Sequence, residues 1–175
     1  MPKTDPAREA LLTALEASGV SIPLWDGILI EETVRIAPGA TILPGCILRG
    51  NTTIAAGSVI GPGSVLTDAV IGKNCTVKNT YITESTLEEN VSIGPFSQVR
   101  PGCHIAAGCK IGDFVEVKNS HIGQKTAIAH LTYVGDTDCG SGVNFGCGVA
   151  IANFNGKEKF RTTIGDNAFL GCNTN

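Results

Sequence analysis

The sequence predicts an all-β protein folded as a parallel β-helix, a chain wound into stacked coils with three faces. From Ile36 to Val134, an Ile, Leu or Val recurs after every five or six residues at eighteen consecutive positions. That period matches neither an α-helix nor the alternation of a regular strand. The residues between these aliphatic anchors have turn chemistry, as in IAPGAT and IAAGSV. One large aliphatic side chain in six residues is typical of one face of such a coil.

Composition supports this fold and bounds the function. The chain has 175 residues, of which 42% are apolar and 17% charged, and it contains 22 glycines. This size suits one packed domain, and the glycine content favours a fold rich in turns. The net charge of −3 provides no general attraction to nucleic acid or to an anionic membrane. No apolar stretch approaches the roughly 20 residues that span a bilayer, and no signal peptide is evident. We therefore expect a cytoplasmic protein with no nucleic-acid or membrane partner.

A short helix is predicted before the coils. Asp5 is suited to cap its N-terminus, Pro6 to its first position, and Gly19 to its end. Residues 1–19 then form the helix and its linker, and residues 20–175 form the β-helix domain. We expect the helix to cover the open end of the coil stack, which needs a cap.

The repeat also predicts one inserted loop. After Val134 the period continues to Ile151, fails between Asn153 and Thr162, and resumes at Ile164. The segment NFNGKEKFRT has three basic residues, so it does not fit inside a coil, and such loops often carry function. Because the sequence stops at Asn175 in the middle of a hexad, we expect a C-terminally truncated domain.

The seven cysteines are an odd number without a C-x-x-C pair, which indicates neither a disulfide framework nor a metal site. Four of them lie four residues after an anchor: Cys46, Cys75, Cys103 and Cys109. In this repeat that position points inward and is occupied by small residues. We therefore expect these four thiols to be buried as small apolar groups.

Two cations break the rules of the repeat. Arg100 and Lys118 are eighteen residues apart, which is about one coil, so they should lie one above the other, with Asp136 near the next rung. Adjacent strands are about 4.8 Å apart, and two cations at that spacing suit a phosphate. The alternative, that both are ordinary solvated charges on a strand, stays open.

A possible acid–base pair lies nearby. Glu116, His130 and Tyr133 are close to register, and a carboxylate beside an imidazole is suited to a general base. A solvent-exposed turn histidine is the alternative for His130. Cys147 and Cys172 have no histidine and carboxylate in compatible register, so covalent catalysis is not predicted.

Three segments resemble a known family: FVEVKNSHIGQKTAIAHLTYVGD, VNFGCG and NFNGKEKFRTTIGDNAFLGCNTN. They are similar to the acetyltransferase domain of the bacterial bifunctional UDP-N-acetylglucosamine pyrophosphorylases/glucosamine-1-phosphate N-acetyltransferases, within the hexapeptide-repeat acyltransferase superfamily. The resemblance implies a left-handed coil and a homotrimer. It also implies transfer of acetyl from acetyl-CoA to glucosamine-1-phosphate, a step toward UDP-N-acetylglucosamine and cell-wall precursors.

The resemblance also assigns residues. It implies that His130 is the general base with Glu116 as its partner, and that no metal is used. The substrate-binding residues that it implies are Arg100, Lys118 and Lys159 for the phosphate, with Tyr133 and Asn144 contacting the sugar phosphate or the UDP-N-acetylglucosamine product. The residues at acetyl-CoA positions are Cys147, Asn153, Phe154 and Cys172.

The sequence departs from the family at several points. Phe154 stands where the family usually has Tyr, and Cys147 and Cys172 stand where Ala and Ser are common. Later coils with further acetyl-CoA contacts and the nucleotidyltransferase domain are not in this sequence, so we expect no pyrophosphorylase activity and weaker binding of acetyl-CoA than of the sugar phosphate. Two alternatives remain: an acetyltransferase for another amino sugar, and a non-catalytic trimer that binds sugar phosphates.

Overall fold

The computed structural model describes residues 5–175, which form an N-terminal helix, α1 (Pro6–Ala17), and an all-parallel β-helix. Twenty-three short strands, numbered in chain order, make three sheets, which we call face 1, face 2 and face 3. Face 1 contains β1 (Leu29–Ile30), β4 (Ile47–Arg49), β7 (Val65–Thr67), β10 (Thr80–Thr83), β13 (Ser97–Val99), β16 (Glu116–Lys118) and β19 (Tyr133–Gly135). Face 2 contains β2 (Arg35–Ile36), β5 (Thr53–Ile54), β8 (Val70–Ile71), β11 (Thr86–Leu87), β14 (His104–Ile105), β17 (His121–Ile122), β20 (Thr137–Cys139) and β22 (Thr162–Ile164). Face 3 contains β3 (Thr41–Ile42), β6 (Val59–Ile60), β9 (Thr76–Val77), β12 (Ser92–Ile93), β15 (Lys110–Asp113), β18 (Ala127–His130), β21 (Asn144–Phe145) and β23 (Phe169–Leu170).

The faces are built rung by rung, as the six-residue period predicts. Val99 pairs with Val117, and Val117 pairs with Val134, so each coil places one strand on each face. Paired strands on one face are parallel, and strands that follow each other in the chain lie on different faces and are joined by tight corners. This architecture is consistent with the left-handed coil that the resemblance implies. The predicted fold class is therefore confirmed.

The predicted anchors form the core. Seventeen of the eighteen are at most 2% exposed, and Ile36, near the start of the stack, is half-buried. The cysteines in the inward slot are at most 4% exposed, which confirms their predicted position. Burial raises the pKa of these four thiols, so they remain protonated and unreactive near neutral pH.

The N-terminal helix closes one end of the stack. The Asp5 carboxylate accepts hydrogen bonds from the backbone N–H groups of Ala7 (3.1 Å) and Arg8 (3.4 Å), which confirms the predicted cap. Leu12 is buried against the first coil, and the Arg8 Nε donates to the Ile28 carbonyl at 2.8 Å. The helix thus covers apolar side chains that the first coil would otherwise expose.

The inserted loop lies where the sequence predicts it, at the break in the six-residue period. A β-bridge joins Phe154 to Lys159 in antiparallel orientation, and the Asn155 Oδ1 accepts from the backbone N–H groups of Lys157 and Glu158. Strand β22 then returns the chain to face 2, where Thr163 pairs with Asp138. The loop therefore projects between Ala150, which bridges to Tyr133 on face 1, and β22, which pairs with β20 on face 2.

A ladder of large apolar side chains runs along the corner between faces 3 and 1. Phe96, Phe114 and Leu131 are 57%, 56% and 59% exposed, and each has a positive φ. The two phenyl rings stack with centroids 5.6 Å apart. Bulky side chains rarely adopt positive φ, and exposed apolar clusters commonly mark an interface. We call these three residues the apolar ladder.

Candidate active site

Two cations lie one above the other at the end of face 1. Arg100 follows β13 directly and Lys118 ends β16, and the pairing of Val99 with Val117 places the two on adjacent rungs. The next rung holds Gly135 rather than Asp136, because Lys118 pairs with Gly135. Asp136 instead occupies the corner and reaches Lys118 through its side chain. The predicted stack of Arg100 and Lys118 is present, and Asp136, which was expected near the next rung, lies one residue past it.

Each cation has a carboxylate partner. The Arg100 Nη1 lies 2.8 Å from the Glu116 Oε1, and both side chains are about two-fifths exposed. The Lys118 Nζ lies 3.0 Å from the Asp136 Oδ2, and both of those side chains are largely buried. The Glu116 carboxylate raises the pKa of Arg100, and the Asp136 carboxylate raises that of Lys118. Both cations therefore remain charged across the physiological range.

Asp136 has further partners. Its Oδ1 accepts from the Asn119 Nδ2 at 2.6 Å, and its Oδ2 also accepts from the Asn153 Nδ2 at 2.7 Å. The hydrogen bond from Asn119, followed by those from Lys118 and Asn153, lowers the pKa of Asp136 to about 2. The first residue of the inserted loop is thereby attached to the corner that carries Lys118.

The loop brings a third cation to this corner. Lys159 is exposed, and the neighbouring Lys118 amine lowers the pKa of Lys159. Two residues later, the Arg161 Nη2 donates to the Asp138 Oδ1 at 2.6 Å, and the Arg161 Nη1 donates to the Asn119 carbonyl at 3.0 Å. Arg161 thus fixes the returning end of the loop on the coil body, with Lys159 beside Lys118.

His130 lies at the other side of face 1, at the end of β18. Its Nδ1 is 3.2 Å from the Asp113 Oδ1, on the preceding rung, and its side chain is 59% exposed. Within residues 5–175, no hydrogen bond involves its Nε2. A histidine that is fixed through Nδ1 and open at Nε2 can accept a proton from a bound ligand.

The expected pairing of His130 with Glu116 is not formed within the chain. Glu116 begins a strand of face 1, where it pairs with Tyr133 and contacts Arg100, whereas His130 ends a strand of face 3. The corner separates them, and Asp113 occupies the place beside the imidazole. Asp113 lies seventeen residues before His130, so the coil spacing was the signal that could have found it.

Tyr133 begins β19, the strand of face 1 between the corner with the three cations and the corner with His130. A Cβ built on Gly135 would lie 2.2 Å from the Tyr133 hydroxyl, so the phenol covers the glycine. The φ of Gly135 is not positive, and the missing side chain therefore provides space rather than backbone freedom. The Tyr133 hydroxyl is directed toward the end of the strand that carries Lys118.

The remaining predicted residues lie higher in the stack. Cys147 is half-buried and lies on the rung above His130, as the hydrogen bond from the Gly148 N–H to the His130 carbonyl shows. Cys172 is exposed on the next rung. The structure thus places a histidine in register with Cys147, where the sequence predicted no histidine and carboxylate in compatible register, although no hydrogen bond joins the two side chains in residues 5–175. Asn144 is exposed on face 3, and Phe154 is 58% exposed in the loop.

The part of the chain that the structure describes contains no cluster of three or more side chains suited to a metal ion. It also contains no helix that is both long and apolar enough to cross a membrane.

Comparison with known proteins shows what the chain is similar to. The six-repeat model "Bacterial transferase hexapeptide" matches residues 33–68 and 84–119. The bifunctional protein GlmU of Clostridium kluyveri is 45% identical over 158 residues, which are 90% of this chain and 35% of that protein. GlmU of Acetivibrio thermocellus is 47% identical over 168 residues, covering 96% of this chain and 36% of that protein.

Solved structures resemble the chain less. The acetyltransferase domain of PglB from Neisseria gonorrhoeae FA1090 is 22% identical with a TM-score of 0.34, and the match covers 95% of this chain and 63% of that domain. A likeness of that size carries no inference about the site. This chain spans about a third of the length of the curated relatives that it matches. The chain therefore contains repeats of the bacterial transferase hexapeptide type and is similar over at least 90% of its length to part of these GlmU proteins.

Proposed function

We propose that the chain transfers acetyl from acetyl-CoA to the amine of glucosamine-1-phosphate, in the synthesis of UDP-N-acetylglucosamine and cell-wall precursors. The observation that carries this proposal is the arrangement along face 1. Arg100, Lys118 and Lys159 gather at one corner, and His130 lies at the other. The two GlmU relatives, each more than 40% identical, support the choice of substrates.

The size of the site fits an amino-sugar phosphate. Strand β19 runs from Tyr133 to Gly135 between the two corners, a length of about 7 Å at 3.3 Å per residue. That length is comparable to one hexose ring. A phosphate held by the three cations would direct the sugar along Tyr133 toward His130. Arginine provides a planar fork for phosphate oxygens, and the two lysines add localised charge.

The proposed chemistry needs a base because the amine of the acceptor is protonated near neutral pH and cannot attack. The His130 Nε2 takes a proton from the ammonium, and the nitrogen lone pair attacks the thioester carbonyl of acetyl-CoA. The C–S bond then breaks as the nitrogen loses its second proton, and the departing thiolate of the coenzyme takes up that proton to leave as the thiol. The Asp113 carboxylate stabilises the imidazolium that forms.

The coenzyme is proposed to lie higher in the stack. Asn153, Phe154, Cys147 and Cys172 are candidates to contact acetyl-CoA. Cys147 is on the rung above His130, which would bring the acetyl group beside the base. Asn144 and Tyr133 are candidates to contact the sugar.

We also propose that the chain assembles as a homotrimer. Phe114 and Leu131 of the apolar ladder directly follow Asp113 and His130 in the sequence. A second copy that covers the ladder would therefore lie beside the base and shield it from water. Most soluble homo-oligomers are closed and cyclic, and three copies around one axis would give three equivalent sites.

Turnover of the purified chain tests the proposal. Acetyl-CoA and glucosamine-1-phosphate should give N-acetylglucosamine-1-phosphate, detected by mass spectrometry because the exposed Cys172 would react with a thiol reagent. Glucosamine without the phosphate should be a poor acceptor. Lys118→Met should raise the KM for the sugar phosphate, whereas Lys73→Gln, an exposed lysine outside the site, should not. Equal turnover of both acceptors would indicate a different amino-sugar substrate, and sugar-phosphate binding without turnover would indicate a non-catalytic protein.

A further inference from the structure

We infer that Asp136 is a positioning residue that joins the sugar-phosphate half of the site to the coenzyme half. The inference rests on the proposed function, because that function assigns Lys118 to the phosphate and Asn153 to acetyl-CoA. Both side chains donate to the same oxygen of Asp136, the Oδ2. A single carboxylate therefore sets where a residue from each half lies.

The position of Asp136 is determined by its backbone as well. Its N–H donates to the Lys118 carbonyl at 2.9 Å, and its carbonyl accepts from the Thr162 N–H at 3.0 Å. Asp136 thus connects the end of β16, the first residue of the loop and the strand to which the loop returns. The side chain is only 12% exposed, so these bonds are shielded from competing water.

The chemistry of the contacts requires a carboxylate. All three side-chain partners, Lys118, Asn119 and Asn153, are N–H donors, and a carboxylate consists only of acceptors. An asparagine has the same shape, but its NH₂ group would face at least one of these donors. A buried donor left without a partner is destabilising, so the isosteric change should displace a contacting side chain.

The negative charge has a second effect. Lys118 and Lys159 are close enough that the Lys118 amine lowers the pKa of Lys159, and two ammonium groups at that distance repel each other. Asp136 is the carboxylate that offsets this repulsion at Lys118. Lys118 has three N–H donors, and the bond to Asp136 uses one of them, which leaves donors for a phosphate. In the absence of ligand, the carboxylate therefore holds the lysine in place without occupying all of its donors.

Two variants test the inference. Asp136→Asn should raise the KM for glucosamine-1-phosphate and the KM for acetyl-CoA by about tenfold each, the effect of losing one hydrogen bond to a charged group. The kcat should change less, because Asp136 contacts neither His130 nor Asp113. Asp136→Glu, which keeps the charge, should restore part of the lost affinity for the sugar phosphate. Thermal unfolding of each variant shows whether the fold is retained.

A double-mutant cycle separates positioning from general destabilisation. In a Lys118→Met background, Asp136→Asn should no longer raise the KM for the sugar phosphate but should still raise that for acetyl-CoA. Asp138→Asn is the matched control, because Asp138 holds the loop through Arg161 and does not contact Lys118. Its effect on the sugar phosphate should add to that of Lys118→Met. Additivity for Asp136→Asn, or unchanged KM values in that variant, would overturn the inference.

Hydrogen exchange provides a test that does not depend on activity. Asp136→Asn should accelerate exchange at Phe160, whose N–H donates to the carbonyl of Asn153, because the start of the loop loses its attachment. Wild-type exchange rates in the variant would contradict the inference even if the substrates were misassigned. A wild-type chain without acetyl transfer would instead contradict the proposed function.

Discussion

Replacing Asp113 and Glu116 in turn tests which carboxylate acts with His130. The structure places Asp113 beside the imidazole, whereas the sequence suggested Glu116. In Asp113→Ala, the imidazole loses the carboxylate beside its Nδ1, while its own position in β18 is unchanged. We expect kcat to fall with little change in KM, because neither the three cations nor the loop contacts Asp113. In Glu116→Gln, we expect the opposite: the KM for the sugar phosphate should change through Arg100, and kcat should not.

The size of the effect follows from exposure. The Nδ1 and Oδ1 atoms are 3.2 Å apart, and the two side chains are 59% and 43% exposed. Exposed pairs of this kind contribute about 0.2–1 kcal/mol, which corresponds to a fall in kcat of about 1.5- to 5-fold. His130→Ala should lower kcat by roughly 10² to 10⁴. A second copy on the apolar ladder would shield the His130–Asp113 pair from water and increase the fall in kcat that we expect for Asp113→Ala. Asp113→Asn, which keeps an acceptor oxygen, should lie between Ala and wild type.

Steady-state kinetics with both substrates checks this prediction. The reasoning would be refuted if Glu116→Gln lowered kcat while Asp113→Ala did not, since that result would make Glu116 the partner of the base. It would also be refuted if His130→Ala kept a kcat near that of wild type.

Three further predictions concern assembly and stability. Phe114→Asp should shift the chain from trimer to monomer in sedimentation at micromolar concentration, and a monomeric wild type would contradict the proposed interface. Leu66→Ala, at a fully buried anchor, should lower the free energy of unfolding in urea by about 2–5 kcal/mol, against less than about 0.5 for the half-buried Thr67→Ala. Because the pKa of Asp136 is lowered from 3.8 to about 2 in the folded protein, its contribution to stability should be complete above pH 4 and lost as the pH falls toward 2. Asp136→Asn should remove that part of the acid sensitivity, and an unchanged acid transition would contradict the assignment.

The sequence determined the features that depend on period. The spacing of aliphatic residues predicted the coil, the buried anchors and the inward cysteines, because each rung packs mainly on its neighbours and repeats their pattern. The break in that period predicted the loop. Counting one coil from Arg100 predicted its stack with Lys118, since register along one face is fixed by the pairing of adjacent strands.

The tertiary structure decided which side chains meet across corners. Repeats of five and six residues are mixed in the chain, so counting brought His130 close to the register of Glu116, whereas the strand pairing of the structure places it beside Asp113. For the same reason, the register of Cys147 with His130 was missed. Asp136 is one residue past the rung of Lys118, and its role depends on a corner conformation with a φ of 50° that turns its carboxylate toward Lys118 and Asn153. Period fixes the height of a residue in the stack, whereas the backbone of each corner determines the direction of its side chain.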